Sequence, residues 1–95
     1  MISPAEVIQI LEEIARSEDS TISLDKNSMI LNGDYNFDSM ALVQLCISLE
    51  EKSNKFGFDF DWTSEKAMSS MNSIFRTPLT ICNEFNKQLL NAKAK

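Results

Sequence analysis

The chain reads as all-α, a small bundle of four helices, on three observations. Glycine and proline number two each, too few for the tight turns an all-β domain of this length requires. Apolar residues recur at three- and four-residue spacing in three long segments, the period of a helix with one buried face. Two of those segments open on Ser-Pro or Thr-Pro, which marks a capped helix start.

The first helix is expected over 4–16. Ser3, Pro4 and Glu6 supply an N-cap, an N1 proline and an N3 glutamate. Val7, Leu11 and Ile14 share one face, Ile10 and Ala15 flank it, and Glu12, Glu13 and Arg16 take the wet side. The stretch "SEDSTISLDKNSMILNGDYNFD" that follows is polar but carries Ile22, Leu24, Met29, Ile30, Leu31, Tyr35 and Phe37. That is too many anchors for a disordered linker, so a long ordered loop pinned to the core is expected.

A second helix starts near Ser39 and runs to about Ser53. Leu42, Leu45, Cys46 and Leu49 share a face, and Met40, Val43 and Ile47 form a second stripe beside it. This band is wider than one buried stripe requires. Either the helix is the central, most buried one, or the second stripe meets partner proteins. "KFGFDFDW" alternates like a strand, but a lone short strand is unstable. It reads as an extended connector whose phenylalanines plug the core. "SEKAMSSM", residues 64–71, reads as a short third helix capped by Thr63 or Ser64. Thr77, Pro78 and Leu79 open a fourth, with Leu79, Cys82, Phe85 and Leu89 inward, Ile81 beside them, and an end near Asn91. The chain is expected to be a single domain over 1–95, ordered over about 4–91, with "NAKAK" as a frayed tail.

Charge and residue types exclude much chemistry. The net charge is -5, which argues against nucleic acid, since phosphate contacts need clustered Lys and Arg. Twelve of the fourteen acids but four of the nine bases lie in residues 1–61. Histidine is absent, which removes the usual general base and the commonest metal ligand. Cys46 and Cys82 fall inside apolar helical patterns and read as small buried hydrophobes. No window approaches 18 apolar residues, so no membrane span is expected and a cytoplasmic location is the default. A calcium loop starting at Asp25 puts Ile30 and Asn36 at its sixth and twelfth positions; one starting at Asp59 puts Ser64 and Ser70 there. Glycine and glutamate are needed, so both frames fail. Two cysteines without histidine do not make a zinc site, and no glycine-rich phosphate loop exists. Asp38 beside Ser39 is no base–nucleophile pair, because adjacent residues rarely align a base on a hydroxyl. No intrinsic catalysis and no metal are expected.

What remains is an ordered set of short motifs. Asp38-Ser39-Met40 stands at the start of the second helix, "LVQLCISLEEKSNKFGFDF" runs through its end into an aromatic-glycine step, and "SIFRTPLTICNEF" leads into the fourth helix. In this order, over roughly 5–90, the combination resembles the acyl carrier protein family. The resemblance implies a four-helix bundle of acyl-carrier type, with a long loop between helices one and two and a short third helix. It implies that Ser39 is the attachment point of 4'-phosphopantetheine, delivered from coenzyme A by a phosphopantetheinyl transferase, with Asp38 as its motif partner. The arm's thiol then holds an acyl, ketide or aminoacyl group as a thioester and presents it to acyl-activating, condensing or acyl-transferring enzymes. The implied partner face comprises Met40, Val43, Gln44, Ile47, Glu50 and Glu51 on a monomeric chain. Because the chain begins with Met1, a discrete protein rather than an excised module is expected.

The physics of that position agrees with both a cap and a carrier. Serine favours N-caps, while a phosphodiester at a helix N-terminus meets free backbone N–H groups and the positive dipole end. Asp38 can itself serve as the cap, which leaves Ser39 at the first helical position. The chain also departs from the family pattern. Asn36 and Phe37 stand where a glycine is usual two before the aspartate, Met40 replaces leucine, and "KSNKFG" puts extra residues before the aromatic-glycine step. Ala41 and Gln44, read as early exposed positions, stand where fatty-acid carriers tend to be acidic. These departures point to a specialised lipid, cell-surface or secondary-metabolite pathway, and the absence of glycines before the serine leans toward acyl rather than aminoacyl cargo. The alternative is an unmodified, carrier-like helical adaptor whose wide second helix binds proteins.

Overall fold

Four helices have bounds among the described residues, α1 (Pro4–Ser17), α2 (Ser39–Lys55), α3 (Met71–Ile74) and α4 (Pro78–Lys93), and Glu65 and Ser69 are helical as well. The computed structural model describes residues 1–18, 22–30, 37–65, 69 and 71–94, without the side chain of Ser39. α1 packs on α4 and α2, α2 packs on α4, and α3 lies against α4. Among the described residues there is no strand, and the radius of gyration is 12.8 Å.

Helix starts follow the sequence closely. At α1 the Ser3 N–H donates to Glu6 Oε2 at 3.1 Å and Pro4 takes the first turn, satisfying or avoiding donors that a helix start leaves open. At α4 Thr77 and Thr80 cap each other. The Thr80 N–H donates to Thr77 Oγ1 at 3.2 Å and the Thr77 N–H to Thr80 Oγ1 at 2.9 Å. Val7, Leu11, Ile14 and Ala15 of α1 are buried, as are Ile81, Cys82, Phe85 and Leu89 of α4. Helices α1, α2 and α4 end later than expected, at Ser17, Lys55 and Lys93.

The connector after α2 is where the core closes. Ser53, in the last turn, is fully buried. Its Oγ donates to the Glu50 carbonyl at 2.7 Å and accepts the Phe60 N–H at 2.9 Å. Its carbonyl accepts the N–H groups of Phe56 and Phe58 at 3.0 and 3.1 Å. Gly57 makes the reversal possible with φ of 85°, a region open to glycine but costly for other residues. The turn aims three rings at Phe85 of α4. Phe56 and Phe58 meet it edge-on at 6.0 and 5.2 Å between centroids, and Phe60 stacks on it at 5.6 Å. Phe60 is buried, Phe58 is partly so, and Phe56 remains at the surface. The phenylalanines therefore plug the core unequally. Further along, Gln88 of α4 accepts the Asp61 N–H at 2.6 Å and donates to the Asp61 carbonyl at 3.1 Å.

The long loop is pinned from both sides. The Ile30 N–H donates to the Arg76 carbonyl and the Leu79 N–H to the Lys26 carbonyl, both at 3.0 Å. Glu12, expected on the wet side of α1, accepts the Leu24 N–H at 3.2 Å. Ile30 and Phe37 are buried and Ile22 and Leu24 pack on the core, but Met29 is 45% exposed and is not among the described residues of that core. Leu31 and Tyr35 lie outside the described residues. The N-terminus is held too: Asn86 accepts the Ile2 N–H and donates to the Ile2 carbonyl, both at 3.0 Å.

The expected short helix over 64–71 is described only in part: Glu65, Ser69 and Met71 are helical. Much of residues 64–71 lies outside the described residues, and the short helix that is described, α3, begins at Met71. Whether Thr63 or Ser64 caps this helix lies outside the described residues. Asp61 accepts the Ser64 N–H at 3.2 Å and the Ser64 hydroxyl at 2.7 Å.

Ser53→Ala removes the acceptor of a buried N–H and should destabilise the fold by about 1–3 kcal/mol. Chemical denaturation of the two proteins measures it, and a loss under 0.5 kcal/mol, the low edge of a typical hydrogen bond, would contradict the role given to this hydroxyl.

Candidate functional site

The start of α2 gathers the residues that the sequence singles out. Asp38 is the N-cap, with extended backbone (φ -78°, ψ 177°). Its Oδ1 accepts the Ala41 N–H at 2.8 Å, and its carbonyl accepts the Leu42 N–H at 3.1 Å. Ser39 is therefore the first helical residue and not the cap. Its hydroxyl lies outside the described residues. Asp38 and Met40 on either side are both exposed. The N–H groups of Ser39 and Met40 come too early in the helix to have an intrahelical acceptor.

Beyond the cap, α2 divides cleanly. Ala41, Leu45, Cys46, Leu49 and Ser53 are buried. On the opposite side Met40 is 63% exposed, Val43 38% and Ile47 45%, and Gln44 and Glu51 are exposed with them. The second stripe thus lies outside the core, and α2 is not buried all round. Ala41 corrects its expected place: it is a core residue at 1% exposure. It stands one turn before Leu45 on the inward face, so a neutral residue here says nothing about the charge of the outer face. Glu50 is half-buried at the edge of that face. Sequence reasoning leaves out Asn54, which extends the exposed stripe; the signal was its spacing of seven from Ile47.

The two thiols face inward. Burial, helped by the nearby Glu50 carboxylate, pushes the Cys46 thiol up to about 12. Cys82 is also pushed up, by burial and by Glu6, against a lowering hydrogen bond from Asn86. Neither is poised to act as a thiolate. Asp25 Oδ1 accepts the Asn27 N–H at 2.8 Å, closing a local turn, and among the described residues no cluster of His, Cys, Asp or Glu could hold a metal ion. No described helix is long and apolar enough to cross a membrane.

No protein-family model, curated protein or solved structure matches the chain. A functional reading therefore rests on the residues and their placement.

Two outcomes follow. Asp38→Ala should cost about 0.5–2 kcal/mol of stability, while Asp38→Asn, which also caps well, should cost a few tenths; denaturant titration of both separates capping from charge. Cys46 and Cys82 should resist iodoacetamide at pH 8 in the native chain and both react in urea. Because folding raises the Cys46 value from 9.0 to about 12, the folded state holds a proton that the unfolded thiol releases. Stability should fall as pH climbs from about 9 toward 12, read as a falling urea midpoint.

Proposed function

We propose that the chain is an acyl carrier, with Ser39 bearing a 4'-phosphopantetheine arm. The observation that carries this reading is the division of labour at the start of α2: Asp38 takes the cap through the 2.8 Å bond to Ala41, which relieves Ser39 of that task. A serine at N1 is not needed as the cap, and its neighbours Asp38 and Met40 are exposed. A phosphodiester there would lie beside unengaged backbone N–H groups and the positive end of the α2 dipole. The arm would be attached through Ser39, and backbone N–H groups of the first turn of α2 would hold its phosphate, while Asp38 stays engaged as the cap. When bound, the arm supplies a thiol that carries an acyl group as a thioester. The chain itself positions and presents that group and performs no catalysis. The fold of acyl-carrier type, the monomeric state, the cytoplasmic setting and the specialised lipid or secondary-metabolite pathway belong to this same proposal. Its partners would be a phosphopantetheinyl transferase and enzymes that activate, condense or transfer acyl groups.

A second reading, an unmodified helical adaptor, is favoured by one observation. The exposed stripe Met40, Val43 and Ile47 would serve protein contacts whether or not Ser39 is modified.

Incubation with coenzyme A and a broad-specificity phosphopantetheinyl transferase, followed by intact mass, decides between them. The carrier gains the mass of one arm and Ser39→Ala gains none. An unmodified native chain beside a working control would leave the adaptor.

A further inference from the structure

The two thiols are both buried, but different groups cover them. Cys46 is 1% exposed on the inward face of α2, where α2 packs on α1 and α4. Reaching it requires those helices to part. Cys82 points instead at the residues before α1: its S–H donates to the Ile2 carbonyl at 3.3 Å. We propose that Met1 and Ile2 form a strap that closes over Cys82, hinges at Ser3, and opens while the helices stay folded. The strap is independent of what Ser39 carries.

The hydrogen bonds that hold the strap run to α4. Asn86 accepts the Ile2 N–H and donates to the Ile2 carbonyl, both at 3.0 Å. Its Nδ2 also donates to Cys82 Sγ at 3.4 Å. The Ile2 side chain is buried, whereas Met1 is 66% exposed and Asn86 is half-buried. One apolar side chain and one carboxamide at the surface thus fasten the segment. The bonds of the hinge, by contrast, stay within α1 and its cap. The Ser3 N–H donates to Glu6 Oε2 and the Glu6 N–H donates to the Ser3 carbonyl, both at 3.1 Å. These local bonds survive when Ile2 lifts, so α1 keeps its start. A segment fastened by so few contacts opens at a free energy well below that of the whole fold.

Such an opening has a signature that burial alone lacks. A substitution that weakens the core away from the strap destabilises the closed and the strap-open states equally. It leaves strap opening unchanged and favours only global unfolding. Ser53→Ala is such a substitution, because it touches none of the strap's bonds.

The test is iodoacetamide labelling of the native chain, with digestion and mass spectrometry to follow each cysteine. Below the urea unfolding transition Cys82 should label faster than Cys46. Its rate should barely change with urea, while that of Cys46 should carry the full slope of global unfolding, since the slope follows the surface exposed on opening. Ser53→Ala should raise the Cys46 rate about fivefold or more and leave the Cys82 rate within about twofold. Asn86→Ala, which removes both clasps on Ile2, should raise the Cys82 rate about tenfold or more with circular dichroism unchanged. Ile2→Ala should raise it in the same direction. Equal urea slopes for the two thiols, or a Ser53→Ala effect of the same size on both, overturns the strap. So does an Asn86→Ala chain whose Cys82 labels no faster than in the native protein.

Discussion

The structure depends on one buried hydroxyl. Ser53 ends the inward face of α2 and, within the span of eight residues, receives the Phe56, Phe58 and Phe60 N–H groups through its carbonyl and Oγ. Backbone donors that leave a helix and enter a core must find acceptors there, or each costs the equivalent of a lost hydrogen bond. Ser53 provides them where no neighbouring strand or helix could. Its consequence is geometric: with the turn held and Gly57 in the left-handed region, the three phenylalanine rings converge on Phe85. α2 is tied to α4 by that aromatic cluster, and the orientation of α2 fixes which of its residues face water.

The same device recurs wherever an irregular segment meets a helix. Asn86 brackets both polar groups of Ile2, Gln88 brackets both of Asp61, and Glu12 takes the Leu24 N–H. Each is a helix side chain replacing the ladder partner that a strand would have had. Such bonds join residues far apart in the chain. Hydrophobic patterning therefore misses them: it puts Glu12 on the wet side of α1 and makes Ser53 no more than the approximate end of α2. What patterning does capture is local. Ser3-Pro4-Glu6 and Thr77-Pro78 mark their helix starts because a cap acts within four residues. Val7, Leu11, Phe85 and Leu89 are buried because helical period and burial coincide.

At the candidate site the legible part was the boundary. Asp38 and Ser39 stand at a loop–helix junction in the sequence and in the structure. The chain alone left open which of them caps; the Asp38 carboxylate, held 2.8 Å from the Ala41 nitrogen, answers that. Less legible was the outer face. An apolar band covering most of a helix surface does not reveal which part is core, because Met40, Val43 and Ile47 are as apolar as their buried neighbours. Only the packing partners decide, and α1 and α4 reach one side. Ala41 and Met29 show the same limit in both directions: a small residue that looked peripheral is core, and a large one that looked like an anchor is wet.

That exposure has a thermodynamic consequence for how α2 is held. A helix whose two faces are both apolar could bury either one, and turning it by half would exchange the Met40–Val43–Ile47 stripe for Leu45–Cys46–Leu49. The apolar residues alone separate the two orientations weakly, but a turned helix would also bury Gln44, Glu51 and Asn54, which share the outer face, at a cost in unpaired polar groups. The polar contacts at the two ends do not share that indifference. Asp38 caps from the loop side in either orientation, but Ser53 accepts the Phe60 N–H only when it faces inward beneath the connector. A rotated helix would leave a buried N–H without an acceptor and carry the serine into water, a difference of about 1–3 kcal/mol in favour of the observed state. The stripe is thus kept outside by the polar residues that share its face and by a hydrogen bond about six residues beyond its end.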